Sequence, residues 1–509
     1  MAMEEKLQEL AERRAKALAM GSPRRLDEIR DAGHLNVRQR IDYLFDDGTF
    51  MEQGLLALSA RPEDHNRAPA DGSVDGIGAI NGRLAVVNAA DFTSMGASSA
   101  ETAGAKMTHS RATAIENGLP LIMLCECSGG RIPDIMGANG IHKTGEYFDL
   151  SHDRQIPRAA AVLGQSYGGG TWRAATSDFV VMRKGAVMAV SSVNVTSVAI
   201  AEDLDPEELG GWKMQTAVTG QVDLAVDTDE QALDAIKAFL SYLPSHSGEA
   251  PPELAPAAAM DQDQNALLDL VPESRSKVYD VRKVVRVIVD ADSYFPIKDR
   301  FARNISTGLA RINGRSVGVI APNPMFKGGA LDSDACDKAV SFITLCDSFN
   351  IPIITMADTP GFLVGVAGER LRLPGKIMNY MQALQMSTVP KLSVILRKSY
   401  GQAHLNMGAG ICDHMAAWVT AEIGFMDPDV AVNVVYRVRQ ADEPERYREL
   451  VEKVKQDSSG YDLAASYRVQ TVLDPRETRD WLVRMMEVHR RRPTGGIGKH
   501  RLATWPTTF

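Results

Sequence analysis

Four glycine-rich turns carry the chemistry that this sequence can offer. They are Ser128-Gly129-Gly130-Arg131 and Tyr167-Gly168-Gly169-Gly170 in the first half of the chain, and Thr359-Pro360-Gly361-Phe362 and Tyr400-Gly401-Gln402-Ala403 in the second half. Glycine lets the backbone come close to a ligand. A turn that enters a helix directs free N–H groups and a positive dipole at that ligand. Two such N–H groups form an oxyanion hole, which strongly stabilises a developing anion.

Other common sites fit the sequence less well. The turns do not follow the order of a dinucleotide-binding GxGxxG, and no GxxxxGK[ST] phosphate loop exists. Gly164–Gly168 matches the letters of a serine hydrolase elbow, but its repeat partner Arg397–Gly401 lacks the first glycine. The ten histidines show no ligand spacing such as HxxxH, so we expect no metal site. What remains is stabilisation of two oxyanions by backbone N–H groups. One would be a thioester enolate and the other a second carbonyl that develops charge in the same step.

An internal repeat places the turns in equivalent positions. Four segments of the first half resemble, in order, segments of the second half: Gly76–Thr93 and Ser306–Pro324, Ala114–Gly130 and Ile343–Gly361, Ala160–Gly170 and Ser393–Ala403, and Gly220–Ile236 and Tyr467–Leu482. Gly82 and Gly129 are 47 residues apart, as are Gly314 and Gly361. We expect an N-terminal half over 1–250, a linker over 251–270 within a segment rich in Pro, Ala and Asp, and a C-terminal half over 271–509.

The same order of elements positions the turns in both halves. Asn81-Gly82 and Asn313-Gly314 each lie between apolar runs, which is a strong signal for a two-residue hairpin. An amphipathic helix follows, then a buried strand that ends in the first turn, and then a helix and a strand that lead into the second turn. Strands that alternate with helices imply right-handed β-α-β crossovers. The sequence therefore predicts an α/β fold with the four turns at strand ends.

The composition excludes several classes of protein. The chain has 509 residues, of which 44% are apolar and 24% charged, as in a globular protein of two or more domains. Basic residues number 56 and acidic residues 65, and no basic stripe occurs, so we expect no nucleic-acid partner. The apolar window around Leu7–Met20 is broken by charges, no run of 18 apolar residues occurs, and the five cysteines are scattered. We expect no signal peptide, no membrane span and a cytoplasmic location.

Longer motifs run through nearly the whole chain. They include NVRQRIDYLFDDGTFMEQG, ADFTSMGASSAETAG, CSGGRI, PEELGG, FARNISTGLARINGRSVGVIAPNP, GGALDSDACDKAVSFITLCDSFNIPIITMADTPGF and AAWVTAEIGFM. Together they resemble the β-subunit carboxyltransferase of biotin-dependent acyl-CoA carboxylases, in the propionyl-CoA and methylcrotonyl-CoA carboxylase group. The resemblance implies two tandem crotonase-like domains, each a β-β-α superhelix of the ClpP/crotonase type.

The resemblance also implies substrates and partners. The first half would hold acyl-CoA and the second half would receive carboxybiotin. The active site would lie between the first half of one subunit and the second half of another, so a homo-oligomer is expected, usually a ring-shaped hexamer. The biotin carboxylase and the biotin carrier would belong to a separate subunit, because this chain has no AMKM biotinylation sequence.

Site residues follow from the resemblance by position. As catalytic groups, the amides of Gly129 and Gly130 would hold the thioester oxyanion, and those of Gln402 and Ala403 the ureido oxygen of biotin. Decarboxylation of carboxybiotin would provide the base, so no side chain need take that role. The implied substrate-binding residues are Ser128, Arg131, Tyr167, Gly168, Gly169, Gly170, His404 and Leu405, and the implied biotin-binding residues are Gly361, Phe362, Tyr400 and Gly401. Leu405 matches a position that tunes the choice of acyl group.

The chain departs from the family pattern at its turns. The family's S-G-G-A-R-I-Q-E-G is one residue short at Ser128–Asp134, and its Y-G-G-A-Y-D is replaced by Tyr400–Leu405. Gln402 can crowd the bicyclic ring of biotin. His404 has no counterpart in the propionyl-type pattern and is either a proton donor near neutral pH or a packed side chain.

These departures leave several functions open. The leading one is carboxyl transfer from carboxybiotin to an acyl-CoA. The second is decarboxylation of a malonyl-type or glutaconyl-type CoA thioester on the same scaffold, with or without biotin, because the CSG turn and Ala403-His404 resemble that branch. The third uses the enolate site alone, for acyl or carbamoyl transfer. The fourth is a non-enzymatic scaffold subunit that binds no CoA.

Overall fold

The computed structural model describes residues 2–140, 142, 154–255 and 263–506 of the chain. The chain divides into two compact units, one up to His246 and one from Ser247 onward. Part of the expected linker, residues 256–262, lies outside the described residues, and the last part of that linker forms the helix Ala266–Leu270. The expected limits at 250 and 271 stay a prediction.

The first unit is built on one eight-stranded sheet. Its strands are β1 (Met51–Gln53), β2 (Ser73–Ile80), β3 (Arg83–Ala90), β4 (Leu121–Cys127), β5 (Arg158–Tyr167), β6 (Phe179–Arg183), β7 (Val187–Ala189) and β8 (Leu224–Val226). β1, β2 and β3 pair in antiparallel fashion, and β3, β4, β5, β6 and β8 are parallel neighbours. β7 pairs with the carboxyl end of β5, beyond the part that pairs with β6.

The second unit repeats this sheet strand for strand. Its strands are β9 (Phe295–Ile297), β10 (Ile305–Ile312), β11 (Arg315–Pro322), β12 (Ile353–Thr359), β13 (Lys391–Tyr400), β14 (His414–Trp418), β15 (Glu422–Gly424) and β16 (Thr471–Leu473). β9, β10 and β11 are antiparallel, β11, β12, β13, β14 and β16 are parallel, and β15 pairs with the end of β13. The predicted α/β halves and their equivalence are confirmed.

Helices cover the sheets, as β-α-β crossovers require. In the first unit they are α1 (Ala2–Leu18), α2 (Pro23–Asp31), α3 (Val37–Leu44), α4 (Glu101–Asn117), α5 (Ile132–Ile135), α6 (Gly169–Ala175), α7 (Val193–Ile200), α8 (Pro206–Gly210), α9 (Trp212–Ala217) and α10 (Asp229–Tyr242). In the second unit they are α11 (Ala266–Leu270), α12 (Val281–Ile288), α13 (Ser333–Ser348), α14 (Val366–Arg370), α15 (Leu373–Met386), α16 (Gly401–Asn406), α17 (Pro428–Ala431), α18 (Pro444–Lys455), α19 (Gly460–Ala465) and α20 (Thr478–Arg490). Across the described ranges, no helix combines the length and the apolar character needed to cross a membrane.

Both sheets have a dry interior. Every residue of β4 and of β12 is buried, as expected of parallel strands that are covered on both faces. The core of the first unit packs β3–β6 against α4, and that of the second packs β10–β14 against α12 and α20. These strands are therefore rigid supports for whatever follows their carboxyl ends.

Two buried lysines fix the long helices to the sheets. The ammonium of Lys106 on α4 donates to the carbonyls of Ala70 and Ser73 at 2.9 and 2.5 Å. Lys338 on α13 donates to the carbonyls of Phe301 and Ile305, both at 2.8 Å. Burial lowers the pKa of Lys106. Because both lysines occupy the same place in the repeat, they hold each helix over the start of the central hairpin.

The predicted Asn-Gly hairpins are confirmed. Asn81-Gly82 has φ values of 49° and 76°, and Asn313-Gly314 has 51° and 79°, so both central residues are left-handed, as a type I′ turn requires. The carboxylate of Asp46 accepts from both N–H groups of the first turn at 3.0 and 2.8 Å. Asp290 does the same in the second turn at 2.9 and 2.8 Å. The repeat therefore begins upstream of the hairpins, in the helices α3 and α12 that precede these aspartates.

A pair of alanine substitutions tests how the second hairpin is packed. Gly82→Ala meets open space, so it should cost only the left-handed strain, about 1 kcal/mol. Gly314→Ala should cost distinctly more, because its new Cβ would collide with the carbonyl oxygen of Leu254. The midpoint of thermal unfolding measures both variants. Equal shifts in the two variants would show that Leu254 does not lie against the hairpin.

Candidate active site

The first candidate turn follows the carboxyl end of β4. Gly129 has a φ of 110°, which favours glycine. Its carbonyl accepts from the N–H of Ser99 at 2.9 Å, and the N–H of Arg131 then donates to the carbonyl of Ser99 at 2.9 Å. The residue between these two bonds, Gly130, is exposed, and within the described residues its N–H has no acceptor. The backbone thus leaves one outward amide donor at the strand end.

The second half builds the same turn after β12. Gly361 has a φ of 125°, and its carbonyl accepts from the N–H of Leu331 at 3.0 Å. The N–H of Leu363 donates back to the carbonyl of Leu331 at 2.7 Å. The intervening N–H of Phe362 has no acceptor in the part of the chain that the structure describes. Phe362 is thus the structural equivalent of Gly130.

In each of these turns, the side chain of the last strand residue lies two positions before the glycine and forms a hydrogen bond with it. The N–H of Gly129 donates to Cys127 Sγ at 3.4 Å, and the thiol lies 3.4 Å from the carbonyl of the same glycine. Thr359 Oγ1 takes the same two positions around Gly361, at 3.2 and 3.3 Å. The amide of Gly129 is therefore held by a weak acceptor, and that of Gly130 is the freer donor of the predicted pair.

The two other turns lie next to the first ones in each unit. Cys127 is the register partner of Ser166, and Thr359 that of Ser399, so adjacent parallel strands end together. Gly168 and Gly401, with φ values of 56° and 57°, begin the second turns. Short helices follow, and their leading amides, at Gly169 and Gly170 and at Gln402 and Ala403, have no intrahelical acceptor. In each unit the structure thus brings the two predicted turns to one edge of the sheet.

The tyrosines of these turns point inward. Tyr167 is 4% exposed and packs with Val187 and Ala189. Tyr400 is 1% exposed, and its hydroxyl donates to Glu422, which also pairs with Arg275 at 3.2 Å. Burial raises the pKa of both hydroxyls, so both stay neutral. Their side chains support the turns, and only their backbone lies at the site.

The side chain of Arg131 is held inside the fold. Its guanidinium is buried and pairs with Asp71 at 2.6 Å, while its Nε donates to Ser98 at 3.2 Å. Ser128, by contrast, is exposed, and its N–H donates to the carbonyl of Gly96 at 2.9 Å. Arg131 therefore braces the turn from behind, and the side chain of Ser128 lies at its open side.

A buried carboxylate stands immediately before each capping residue. Asp358 accepts from Arg397 Nε at 3.0 Å and from the hydroxyl of Tyr279 at 2.8 Å. Glu126 accepts from Arg40 at 2.5 Å. Sequence analysis missed both pairs. The repeat contains the signal, because Glu126 and Asp358 are separated by the same 232 residues as Gly129 and Gly361.

The source of the arginine differs between the units. Arg397 lies on β13, beside Asp358. The equivalent position on β5 is Gly164, where an added Cβ would collide with the carboxylate of Glu126. The first unit takes its arginine from α3 instead, where Arg40 also pairs with Asp229 at 3.1 Å. The glycine that gave Gly164–Gly168 the letters of a hydrolase elbow thus makes room for an ion pair.

Gln402, His404 and Leu405 of α16 differ in their contacts and exposure. Gln402 is exposed, and its side-chain amide donates to Asn406 Oδ1 at 3.0 Å, along the helix and away from its first amides. His404 is partly buried, and its Nδ1 lies 2.9 Å from Ser399 Oγ. Burial lowers the pKa of His404. Leu405 is 40% exposed.

Comparison with known proteins identifies the class. A family model for the carboxyl transferase domain matches residues 28–501, so the chain belongs to that family. The chain is 35% identical over 498 residues to the propionyl-CoA carboxylase carboxyltransferase subunit of Haloferax mediterranei, covering 95% of this chain and 96% of the relative. It is also 30% identical over 488 residues to the methylmalonyl-CoA decarboxylase subunit alpha of Propionigenium modestum, covering 94% of each.

A solved structure agrees with this assignment. The hexameric transcarboxylase 12S, with methylmalonyl-CoA and methylmalonic acid bound, superposes with a TM-score of 0.90 at 33% identity, covering 96% of both chains. The chain therefore consists of crotonase-like domains and is a carboxyltransferase enzyme of the acyl-CoA carboxylase class. The expected family and fold are confirmed.

The cap at the first turn can be tested with two substitutions of similar shape. Cys127→Thr places at this turn the hydroxyl that Thr359 supplies in the second half, so it should unfold close to wild type. Cys127→Val has the same shape but no acceptor, so it should be less stable than Cys127→Thr by about 1 kcal/mol. Thermal unfolding midpoints give the comparison. If the two variants unfold alike, residue 127 does not cap the turn.

The ion pair beneath the second-half turn gives another prediction. Arg397→Met leaves Asp358 buried with only the more distant Lys398, whose Nζ lies 3.9 Å away, so it should cost about 3 kcal/mol of folding stability. The double variant Arg397→Met/Asp358→Asn removes both members of the buried ion pair and should recover part of that loss. Denaturant unfolding of the intact chain measures both. A double variant as unstable as the single one would mean that the charge of Asp358 does not cause the loss.

Proposed function

We propose that this chain is the carboxyltransferase subunit that moves a carboxyl group from carboxybiotin to the α or vinylogous carbon of an acyl-CoA. One observation carries the proposal: each unit ends its central strand in the same left-handed glycine turn with one outward amide donor, at Gly130 and at Phe362. Two equivalent donors suit a reaction in which two carbonyl oxygens gain charge. Stabilisation of such oxygens by preorganised N–H groups is often the largest single catalytic contribution.

The first unit is the acyl-CoA side in this proposal. The amides of Gly129 and Gly130 hold the thioester oxygen as the α-proton leaves and an enolate forms. Because the turn is fixed by the bonds to Ser99, the N–H of Gly130 needs no rearrangement during the reaction, whereas the N–H of Gly129 exchanges its weak bond to Cys127 Sγ for the thioester oxygen. Gly168, Gly169 and Gly170 line the adjacent turn and let the thioester approach the backbone.

The second unit is the biotin side, and its residues fit the head group. Gly361 borders open space, since a Cβ built there meets no atom within 4 Å. The side chain of Gln402 lies along α16 against Asn406, so it does not cover the first amides of that helix. The amides of Gln402 and Ala403 would hold the ureido oxygen, with Gly361, Phe362 and Gly401 around the ring. Carboxybiotin, when bound, supplies the carboxyl group and, after losing it, the base for the α-proton.

No side-chain base is needed in this scheme. The carboxylates nearest the two first turns, Glu126 and Asp358, are each locked in a pair with an arginine. The protein's part is to position two substrates and stabilise their oxyanions.

Partners follow from the same proposal. The chain would form a homo-oligomer, a hexamer. In it, the first half of one copy would meet the second half of another at each active site. Transcarboxylase 12S is a hexamer in a multienzyme core, which supports a hexamer for this chain. Biotin would arrive on a carrier belonging to a separate biotin carboxylase subunit, in the cytoplasm.

A second candidate function is decarboxylation of a malonyl-type CoA thioester, with or without biotin. It is favoured by the identity of 30% with a methylmalonyl-CoA decarboxylase subunit alpha over 94% of the chain. The same enolate site would serve both directions, because the enolate formed when the carboxyl group leaves is the one that receives it in carboxylation.

The test is a carboxyl-exchange assay on the purified chain. The protein is given malonyl-CoA or methylmalonyl-CoA, with and without free biotin, and the thioester products are followed by mass spectrometry. We expect loss of the carboxyl group only when biotin is present. Loss at the same rate without biotin would favour the decarboxylase, and no loss with either thioester would contradict both functions for these acyl groups.

A further inference from the structure

The two units differ in one side chain beside their second turns. In the first unit, Thr171 is 5% exposed and its hydroxyl lies 2.8 Å from the carbonyl of Ser166 and 2.7 Å from that of Ala189. The single hydroxyl proton of Thr171 is thus taken up by a hydrogen bond inside the fold. The equivalent position in the second unit is His404, which has a second nitrogen to offer.

The hydrogen bond to Ser399 decides the tautomer of His404. Ser399 is fully buried, and His404 Nδ1 is the only partner of its hydroxyl among the described residues. A buried hydroxyl proton without an acceptor costs more than an unused lone pair, so Ser399 donates to Nδ1. The ring proton of the neutral imidazole is then on Nε2.

Nε2 faces away from the protein's own acceptors. Within the described residues no acceptor lies in hydrogen-bond reach of it, and the ring is only partly buried. Ser399 is the register partner of Thr359, so the ring that it holds lies at the edge where β12 and β13 both end. The pKa of His404, lowered by burial, keeps this group a neutral donor near pH 7.

We propose that His404 presents a fixed Nε2–H donor to an oxygen of the carboxylated urea that the second unit receives, with Ser399 as its positioning residue. This inference rests on the proposed function, in which the second unit is the biotin side. The neutral imidazole donates a hydrogen bond and transfers no proton. It therefore adds a side-chain donor to the backbone amides of Gln402 and Ala403.

Kinetics of the exchange reaction test the role. His404→Ala should lower kcat/KM for free biotin by about 10- to 100-fold, as expected for loss of one donor, with KM for malonyl-CoA nearly unchanged. His404→Gln, which keeps an N–H donor of similar reach, should restore part of the loss. Ser399→Ala frees the ring and should cost less than His404→Ala. Thermal unfolding of each variant verifies that the second unit is folded.

A spectroscopic measurement tests the same group without turnover. In protein labelled with ¹⁵N-histidine, one imidazole should show the neutral Nε2–H pattern, and its signal should vanish in His404→Gln. Free biotin should shift that signal in wild type. In Ser399→Ala the ring should become a mixture of tautomers.

The outcomes separate this inference from the proposed function. Wild-type exchange that depends on biotin, together with an unchanged kcat/KM in His404→Ala and no biotin shift of the ring signal, overturns the role of His404 and leaves the proposed function intact. A wild-type chain that shows no biotin-dependent exchange and no biotin shift overturns both. A ring signal of the Nδ1–H form overturns the assigned tautomer and with it the donor.

Discussion

Each site depends on one backbone constraint: a parallel strand stops in a left-handed glycine whose carbonyl is tied sideways to a neighbouring segment. Gly129 is tied to Ser99 and Gly361 to Leu331. Once that carbonyl is fixed, the peptide that follows has to turn its N–H outward. The outward N–H of Gly130 and of Phe362 is therefore a consequence of the backbone path, and no side chain has to create it.

Holding the strand end still requires buried charge. Glu126 and Asp358 stand one residue before the capping side chains, and each would be costly to bury alone. Arginine compensates both, but Asp358 finds Arg397 on the adjacent strand, whereas Glu126 needs Arg40 from α3 and a glycine at 164 to make room. Both halves thus bury a carboxylate at this position, but the arginine that neutralises it comes from a different element in each half. This indicates that fixing the strand end is more important than which element supplies the arginine.

Local sequence patterns predict much of this architecture, and the contacts that they do not predict are missed for physical reasons. The Asn-Gly hairpins, the four turns and the repeat are local signals that a single sequence displays. The ion pairs are not, because Arg40 and Glu126 are 86 residues apart and the repeat holds no matching arginine. Local patterns also leave the direction of a side chain open: Arg131 and Tyr400 stand next to glycine turns, and the structure buries their side chains against Asp71 and Glu422. The acyl group is not encoded in any pattern found here, since Leu405 alone does not define a pocket.

The halves differ in the residues that surround the turns after β4 and β12, although the backbones of these turns are alike. In the first unit α5 begins directly after the turn, and a Cβ at Gly130 would displace the side-chain end of Ile135 of that helix. In the second unit α14 begins later, at Val366, and Phe362 stands where Gly130 does. The first turn leads directly into a helix, and the second leads through a longer segment before its helix begins. The two halves therefore share one way to build an outward amide and differ in the residues that follow it.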